Sequence, residues 1–175
     1  MVGYSEVLQT MAAMVLFSLI LLQANKIILL NSQQEVESEA EQKAVAIAQE
    51  YIKEARALAF DDESTTGPPS KVPEGFSSCK NEESDYADFD DFDDFHEFSE
   101  PRDWDPDEDD NAFQVDIQVK YVTSSNYDIS DGHTGTPYTL FKKMVVTVTS
   151  DYLTDGAGDK VEVKVPYLRR YYKQQ

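Results

Sequence analysis

The sequence predicts an α+β fold: one long, continuous N-terminal α-helix packed on a small three- to four-stranded antiparallel sheet. Three observations predict it. Between Tyr4 and Thr66 there is neither Gly nor Pro, the two strongest helix breakers. From Phe113 onward the hydrophobic period changes from the helical three-to-four to the two of half-buried strands. Between these regions lies an acidic run, Asp85 to Phe98, that follows neither period.

The helix has two halves of different character. From Val7 to Leu30 the chain reads VLQTMAAMVLFSLILLQANKIILL, apolar on nearly every side and interrupted by Gln23, Asn25 and Lys26. Its clean run, Met11 to Leu22, is about 12 residues, where crossing a bilayer takes about 20. Such a segment needs a surround, either lipid or other copies of itself. No Lys or Arg precedes it and no A-x-A-like site follows, so it is expected to be retained rather than removed as a secretory signal. Further along, Ala44, Ile47, Ala48, Tyr51, Ile52, Ala55, Leu58 and Ala59 form one stripe at spacings of three and four. Glu37, Glu41, Glu50, Lys53, Glu54 and Arg56 occupy the opposite face. The expected stop is Gly67, Pro68 and Pro69. This gives a helix of about 50 to 55 residues, about 80 Å long.

The strands follow. FQVDIQVKY puts Phe113, Val115, Ile117, Val119 and Tyr121 on one face. After the loop SSNYDISDGHTGTP, KKMVVTVTS reads as a second strand, DGAGD as a turn, and KVEVKV as a third strand ended by Pro166. YLRRYY is a candidate fourth. Short connections imply a meander, with the helix stripe covering one face. The expected division is 1–31 (apolar helix half), 32–60 (amphipathic half), 61–112 (acidic connection) and 113–175 (β domain).

In the acidic run, DYADFDDFDDFHEF, aromatics recur every third residue at Tyr86, Phe89, Phe92, Phe95 and Phe98. Disordered acidic tracts lack such aromatics. The run is therefore expected to dock by its rings in a short or irregular helical wrap. Its carboxylates are expected to face water, a cation or a neighbour's Arg.

Charge and composition narrow the function. With 34 acidic residues against 15 basic ones, the net charge is −19, which argues against binding a nucleic-acid backbone. It favours divalent cations, basic partners or an exposed surface. Cys79 is the single cysteine, so there is no internal disulfide, no Cys-based zinc motif and no CxxCH for haem. His96 and His133 lie in separate loops, expected to be solvated, and no nucleophile-base arrangement is present; no enzymatic activity is expected.

Calcium is the one candidate ion, and no cofactor is required. In DWDPDEDDN the acids Asp103, Asp105, Asp107 and Asp109 alternate, as at the start of many calcium loops. The turn Gly and closing Glu of an EF-hand are missing, Gln114 stands at the closing position, and Pro106 restricts the loop. Asp90, Asp91, Asp93 and Asp94 are secondary candidates. At the other end of the chain, Arg169, Arg170 and Lys173 form the densest basic cluster. They are either a solvated tail or, in a polymer, a contact for a neighbour's acidic segment.

These parts in this order resemble a type IV pilin-like subunit. The resemblance rests on the apolar N-terminus with its early acid Glu6, the AxAxxYIxEARALAFDD stretch from Ala46 to Asp62, the DDFDDFHEF segment, and FKKMVVTVTSDYL from Phe141 to Leu153. The last three look like minor pilins of the mannose-sensitive haemagglutinin type. The resemblance implies subunits held in the cytoplasmic membrane by the apolar helix, extracted by pilus assembly machinery and polymerised with their helices bundled. Met11, Met14, Leu16, Phe17, Leu19, Ile20, Leu21 and Leu22 would then line the filament core, and Glu6 would pair with a neighbour's N-terminal amine. Cleavage after Gly3 would make Glu6 the third residue, and loss of Met1 alone would make it the fifth. The family's helix-breaking Pro and Gly are absent from the apolar half, so its helix is expected to be unbroken. The implied function is a structural subunit of an extracellular, cell-surface filament, with copies of itself as partners. The alternatives are a minor pilin or secretion pseudopilin, or a membrane-anchored calcium-dependent binding module.

Overall fold

The computed structural model describes residues 3–61, 76–81, 83, 85–105, 107, 110–135, 137–155 and 158–171. Helix α1 runs unbroken from Tyr4 to Ala57, 54 residues, as the absence of Gly and Pro dictates. The expected stop at Gly67, Pro68 and Pro69 lies outside the described residues, and the helix ends before it. The cause is tertiary. Beyond Ala57 the chain turns into the domain, burying Phe60 and Asp61, while the Ala59 N–H donates to the Asp90 carbonyl at 3.2 Å.

The chain separates into two units, Met1–Glu39 and Ala40–Gln175, and α1 contributes to both. In the first unit the helix is exposed on every side from Tyr4 to Val36. In the second, its buried residues are Ala40, Ala44, Ile47, Ala48, Tyr51 and Ala55, the face that the three-to-four spacing marks out.

That face packs on a four-stranded antiparallel sheet in the order β1-β2-β3-β4. The strands are β1 (Ser99–Arg102), β2 (Phe113–Tyr121), β3 (Phe141–Ser150) and β4 (Val163–Arg170). Pairing aligns Val115 with Val148, Ile117 with Val146, Val119 with Met144 and Tyr121 with Lys142. These residues share the covered face and are buried. The opposite face carries Gln114, Asp116, Gln118, Thr147 and Thr149, the polar half of each alternation.

The sheet differs from expectation at both edges. KVEVKV and YLRRYY are not two strands: Val163–Arg170 is continuous, with Pro166 inside it opposite Val145. The fourth strand is SEPR, four residues with a proline, which carry no strand signal of their own. Edge strands tolerate proline because part of their N–H groups face no partner. In the turn before β4, Gly158 adopts φ 88°, a left-handed conformation that glycine takes without steric cost.

Candidate functional site

Among the described residues of the first unit, the apolar helix buries nothing. Met11, Met14, Leu16, Phe17, Leu19, Ile20, Leu21 and Leu22 are all exposed, as are Ile27 to Leu30. The helix is long and apolar enough to cross a membrane. Its hydroxyls are satisfied locally: Ser18 Oγ donates to the Met14 carbonyl at 2.8 Å, and Thr10 Oγ1 to that of Val7 at 2.8 Å. Apolar surroundings demand this, since an unpaired hydroxyl there costs several kcal/mol. Glu6 sits in the first turn and accepts from the Gly3 N–H at 3.2 Å, where a carboxylate also suits the helix dipole.

The acidic run is folded into the second unit. Phe92 and Phe95 are fully buried, and Tyr86, Phe89 and Phe98 pack around them. Phe95 meets Tyr86 and Phe89 with ring centroids 5.9 and 5.1 Å apart. Tyr86–Asp88 forms a single 3-10 turn, the kind of wrap that a period of three suits. Two carboxylates build the turns after it. Asp94 Oδ2 accepts from the N–H groups of Asp90 and Asp91 at 2.9 and 3.0 Å, and Asp91 Oδ1 from those of Asp93 and Asp94 at 2.7 and 3.2 Å. Asp91, Asp93 and Asp94 are therefore buried, not solvent-facing as expected. The run is tied to the helix by the Tyr86 hydroxyl, which donates to Glu54. From β1, Glu100 accepts from the Tyr51 hydroxyl, and Arg102 pairs with Glu50 at 2.9 Å.

At the centre of this unit lies a charged cluster that the sequence reading missed. Lys142 is completely buried on β3. Its Nζ donates to the Phe60 carbonyl at 2.8 Å, to Asp61 Oδ2 at 3.0 Å and to Asp93 Oδ1. Asp61 Oδ2 also accepts from the Tyr121 hydroxyl at 3.1 Å and from the Ser77 N–H at 3.2 Å. The Phe60 and Tyr121 rings flank Nζ, with centroids 4.8 and 5.0 Å away. The signal was present: in FKKMVVTVTS the alternation that buries Met144, Val146 and Val148 also buries Lys142. One of two adjacent lysines thus had to lie on the core face, opposite some acid.

Two carboxylates share one ammonium here, and burial decides the protonation of Asp93. Burial, assisted by the charge of Asp91 and opposed by Lys142, pushes Asp93 up to about 8 from 3.8. Burial pulls Lys142 down, but the carboxylates outweigh it and raise it. Folded Asp93 thus keeps a proton that the unfolded chain releases near pH 4. Its contribution to stability is complete below that pH and is lost as pH rises toward about 8. The melting temperature in detergent is therefore expected to fall by roughly 4–8 °C between pH 5 and pH 8.5. Asp93→Asn should flatten that slope; an equal slope in the variant would assign it elsewhere.

Of the basic cluster, Arg169 is engaged within the chain. Its guanidinium reaches from β4 to the end of α1 and donates to the carbonyls of Ala55 and Ala59, each at 2.9 Å, and of Leu58 at 2.6 Å. It caps the carbonyls left unpaired at a helix C-terminus and places a cation at the negative end of the dipole. Arg169→Ala is expected to cost about 2–4 kcal/mol, read from the urea midpoint, against less than about 1 kcal/mol for Arg170→Ala. Arg170 lies over the Phe141 ring, and Lys173 is outside the described residues.

Two of the candidate calcium ligands in the 103–109 loop accept from backbone N–H groups nearby. Asp103 Oδ1 accepts from the N–H groups of Asp110 and Asn111 at 3.1 and 2.8 Å, and Asp105 Oδ1 from that of Asp107 at 3.1 Å. These acids close their own loop. Asp109 and Pro106 lie outside the described residues. Among the described residues, the one group of acids with metal-ligand spacing is Glu83, Asp90 and Asp94, whose oxygens lie within 4.8 Å of one another. His96 is buried rather than solvated: Nδ1 accepts from the Val119 N–H at 3.1 Å, and burial lowers its pKa. His133 Nε2 lies 2.5 Å from the Pro137 carbonyl and donates a hydrogen bond to it.

The architecture is pilin-like: a long apolar N-terminal helix continuing onto a four-stranded antiparallel sheet. No family model, curated protein or solved structure matches the chain.

Proposed function

We propose that this chain is a structural subunit of an extracellular, type IV pilus-like helical filament. One observation carries the reading: a helix with an exposed apolar surface from Val7 to Leu30 joined to a self-contained acidic domain. Burying a large apolar side chain is worth about 1.5–3 kcal/mol, so such a surface calls for an apolar surround. Lipid supplies one before assembly and a bundle of like helices supplies another, so transfer between the two costs little. The polar break at Gln23, Asn25 and Lys26 favours the bundle as the final state, because neighbouring helices bring hydrogen-bond partners that lipid lacks. Glu6 is the assembly acid in this reading, pairing with the N-terminal amine of the next subunit.

Negative-stain imaging of material sheared from cells producing this chain tests the proposal. Abundant fibres composed of this chain are expected. Glu6→Ala should leave the protein in the membrane fraction and abolish them. Dispersed monomers in the membrane fraction of the unmodified strain would overturn the filament reading and support the membrane-anchored binding module. Scarce copies on fibres of another subunit would identify a minor pilin.

A further inference from the structure

The Lys142 centre has the geometry of a reaction site, independently of filament formation. We propose that Lys142 Nζ and the Asp61 side-chain carboxyl join in an intramolecular amide bond, with Asp93 relaying the proton.

Four features of the centre fit this step. The nitrogen is hydrogen-bonded to Asp61 Oδ2 at 3.0 Å, so Cγ, one covalent bond further on, is within reach of a near-attack approach. The two Asp61 oxygens are treated unequally. Oδ2 accepts from Tyr121 and from the Ser77 N–H as well as from Nζ, which are donors suited to hold the negative oxygen of a tetrahedral intermediate. Oδ1 is buried and has no hydrogen-bond partner among the described residues, as befits the oxygen that leaves. Asp93 contacts Nζ directly and is placed to carry a proton between nitrogen and oxygen. Finally, Phe60, Phe76 and Tyr121 enclose the nitrogen at 4.8, 6.0 and 5.0 Å from their centroids. That enclosure keeps water from reversing the reaction.

The step balances without a co-reactant. The step starts from the ionised form of Asp93, which is populated as pH rises toward about 8: the ammonium gives one proton to this carboxylate, and the freed lone pair forms the N–Cγ bond. Oδ1 then receives that proton back from Asp93 and a second from nitrogen, the Cγ–Oδ1 bond breaks, and one water leaves. Asp93 ends as it began. The one proton left on the amide nitrogen already has an acceptor, the Phe60 carbonyl at 2.8 Å. In water, ionisation of acid and amine opposes amide formation. In this centre the balance is reversed, because the product removes two buried charges whose desolvation is costly.

The test is the intact mass of the full chain purified in detergent, followed by proteolysis. The expected mass is one water below that of the sequence, with a branched peptide joining the segment of Asp61 to that of Lys142. Lys142→Met and Asp61→Ala should show their unlinked masses. Asp93→Asn should slow linkage by roughly 10²- to 10⁴-fold while near-ultraviolet dichroism shows a folded domain. The wild-type mass is decisive even where a variant does not fold. A wild-type chain that keeps the full sequence mass after prolonged incubation overturns the proposal, as does a branch at Asp93 in place of Asp61.

Discussion

Lys142→Met is expected to cost the domain about 3–5 kcal/mol, the loss typical of removing one partner from a buried ion pair. Methionine nearly matches the shape of lysine, so the loss is electrostatic rather than a cavity. Asp61 and Asp93 would face one another without a cation, beside Tyr121, the Phe60 carbonyl and the buried Cys79. Urea unfolding in detergent, followed by tryptophan emission from Trp104, measures it. Where Nζ is amide-bound, the loss lies at the upper end, because a closure between the helix end and β3 disappears as well. A double variant, Lys142→Met with Asp93→Asn, should recover part of the loss when assayed above pH 8, where Asp93 is otherwise charged. A full loss in the double variant would show that packing, not charge, governs the position.

Phe95→Ala carries the second large effect, about 3–5 kcal/mol. Phe95 is 1% exposed and its ring is held between Tyr86 and Phe89, with Phe92 buried in the same core. Truncation leaves a void that the neighbouring rings cannot fill, because the backbone around them is fixed by the Asp91 and Asp94 turns. The exposed Asp88, on the same run, is expected to tolerate Ala within about 0.5 kcal/mol. Thermal melts of the two variants side by side make the comparison. Equal, small effects would mean that the acidic run is a solvated tract and not part of the core.

The long helix and the two central strands were legible because their signals are local. An absence of breakers reads directly as helix, and FQVDIQVKY carries its alternation in its own residues. β1 was not legible: SEPR becomes a strand only because β2 offers it an edge, with Glu100 opposite Val115. The length of α1 was legible, 54 residues against the expected 50 to 55, but what stops it was not, for a similar reason. No residue near Ala57 breaks a helix, and the stop is set by Arg169, 112 positions further on at the end of β4, together with the turn that buries Phe60. The acidic run was half legible. Its aromatic period announced docking, but its carboxylates serve backbone amides and a lysine of the same chain, pairings that depend on distant sequence. The apolar helix was the plainest feature of all, since its composition alone marks it as the candidate site.

The two prolines at the sheet edges bear on how copies of this chain meet. β1 and β4 are the outer strands of the sheet, and each carries one, Pro101 and Pro166. A proline offers no N–H to a ladder and props an approaching strand away. β1 is also short and ends in Arg102, and β4 presents Lys164 and Arg170 on its exposed side. Neither edge is a template for cross-β growth, the default hazard of a sheet stored at high local concentration. In the filament proposed above, crowded subunits would therefore keep their sheets from fusing, with the apolar helix as the route by which they associate.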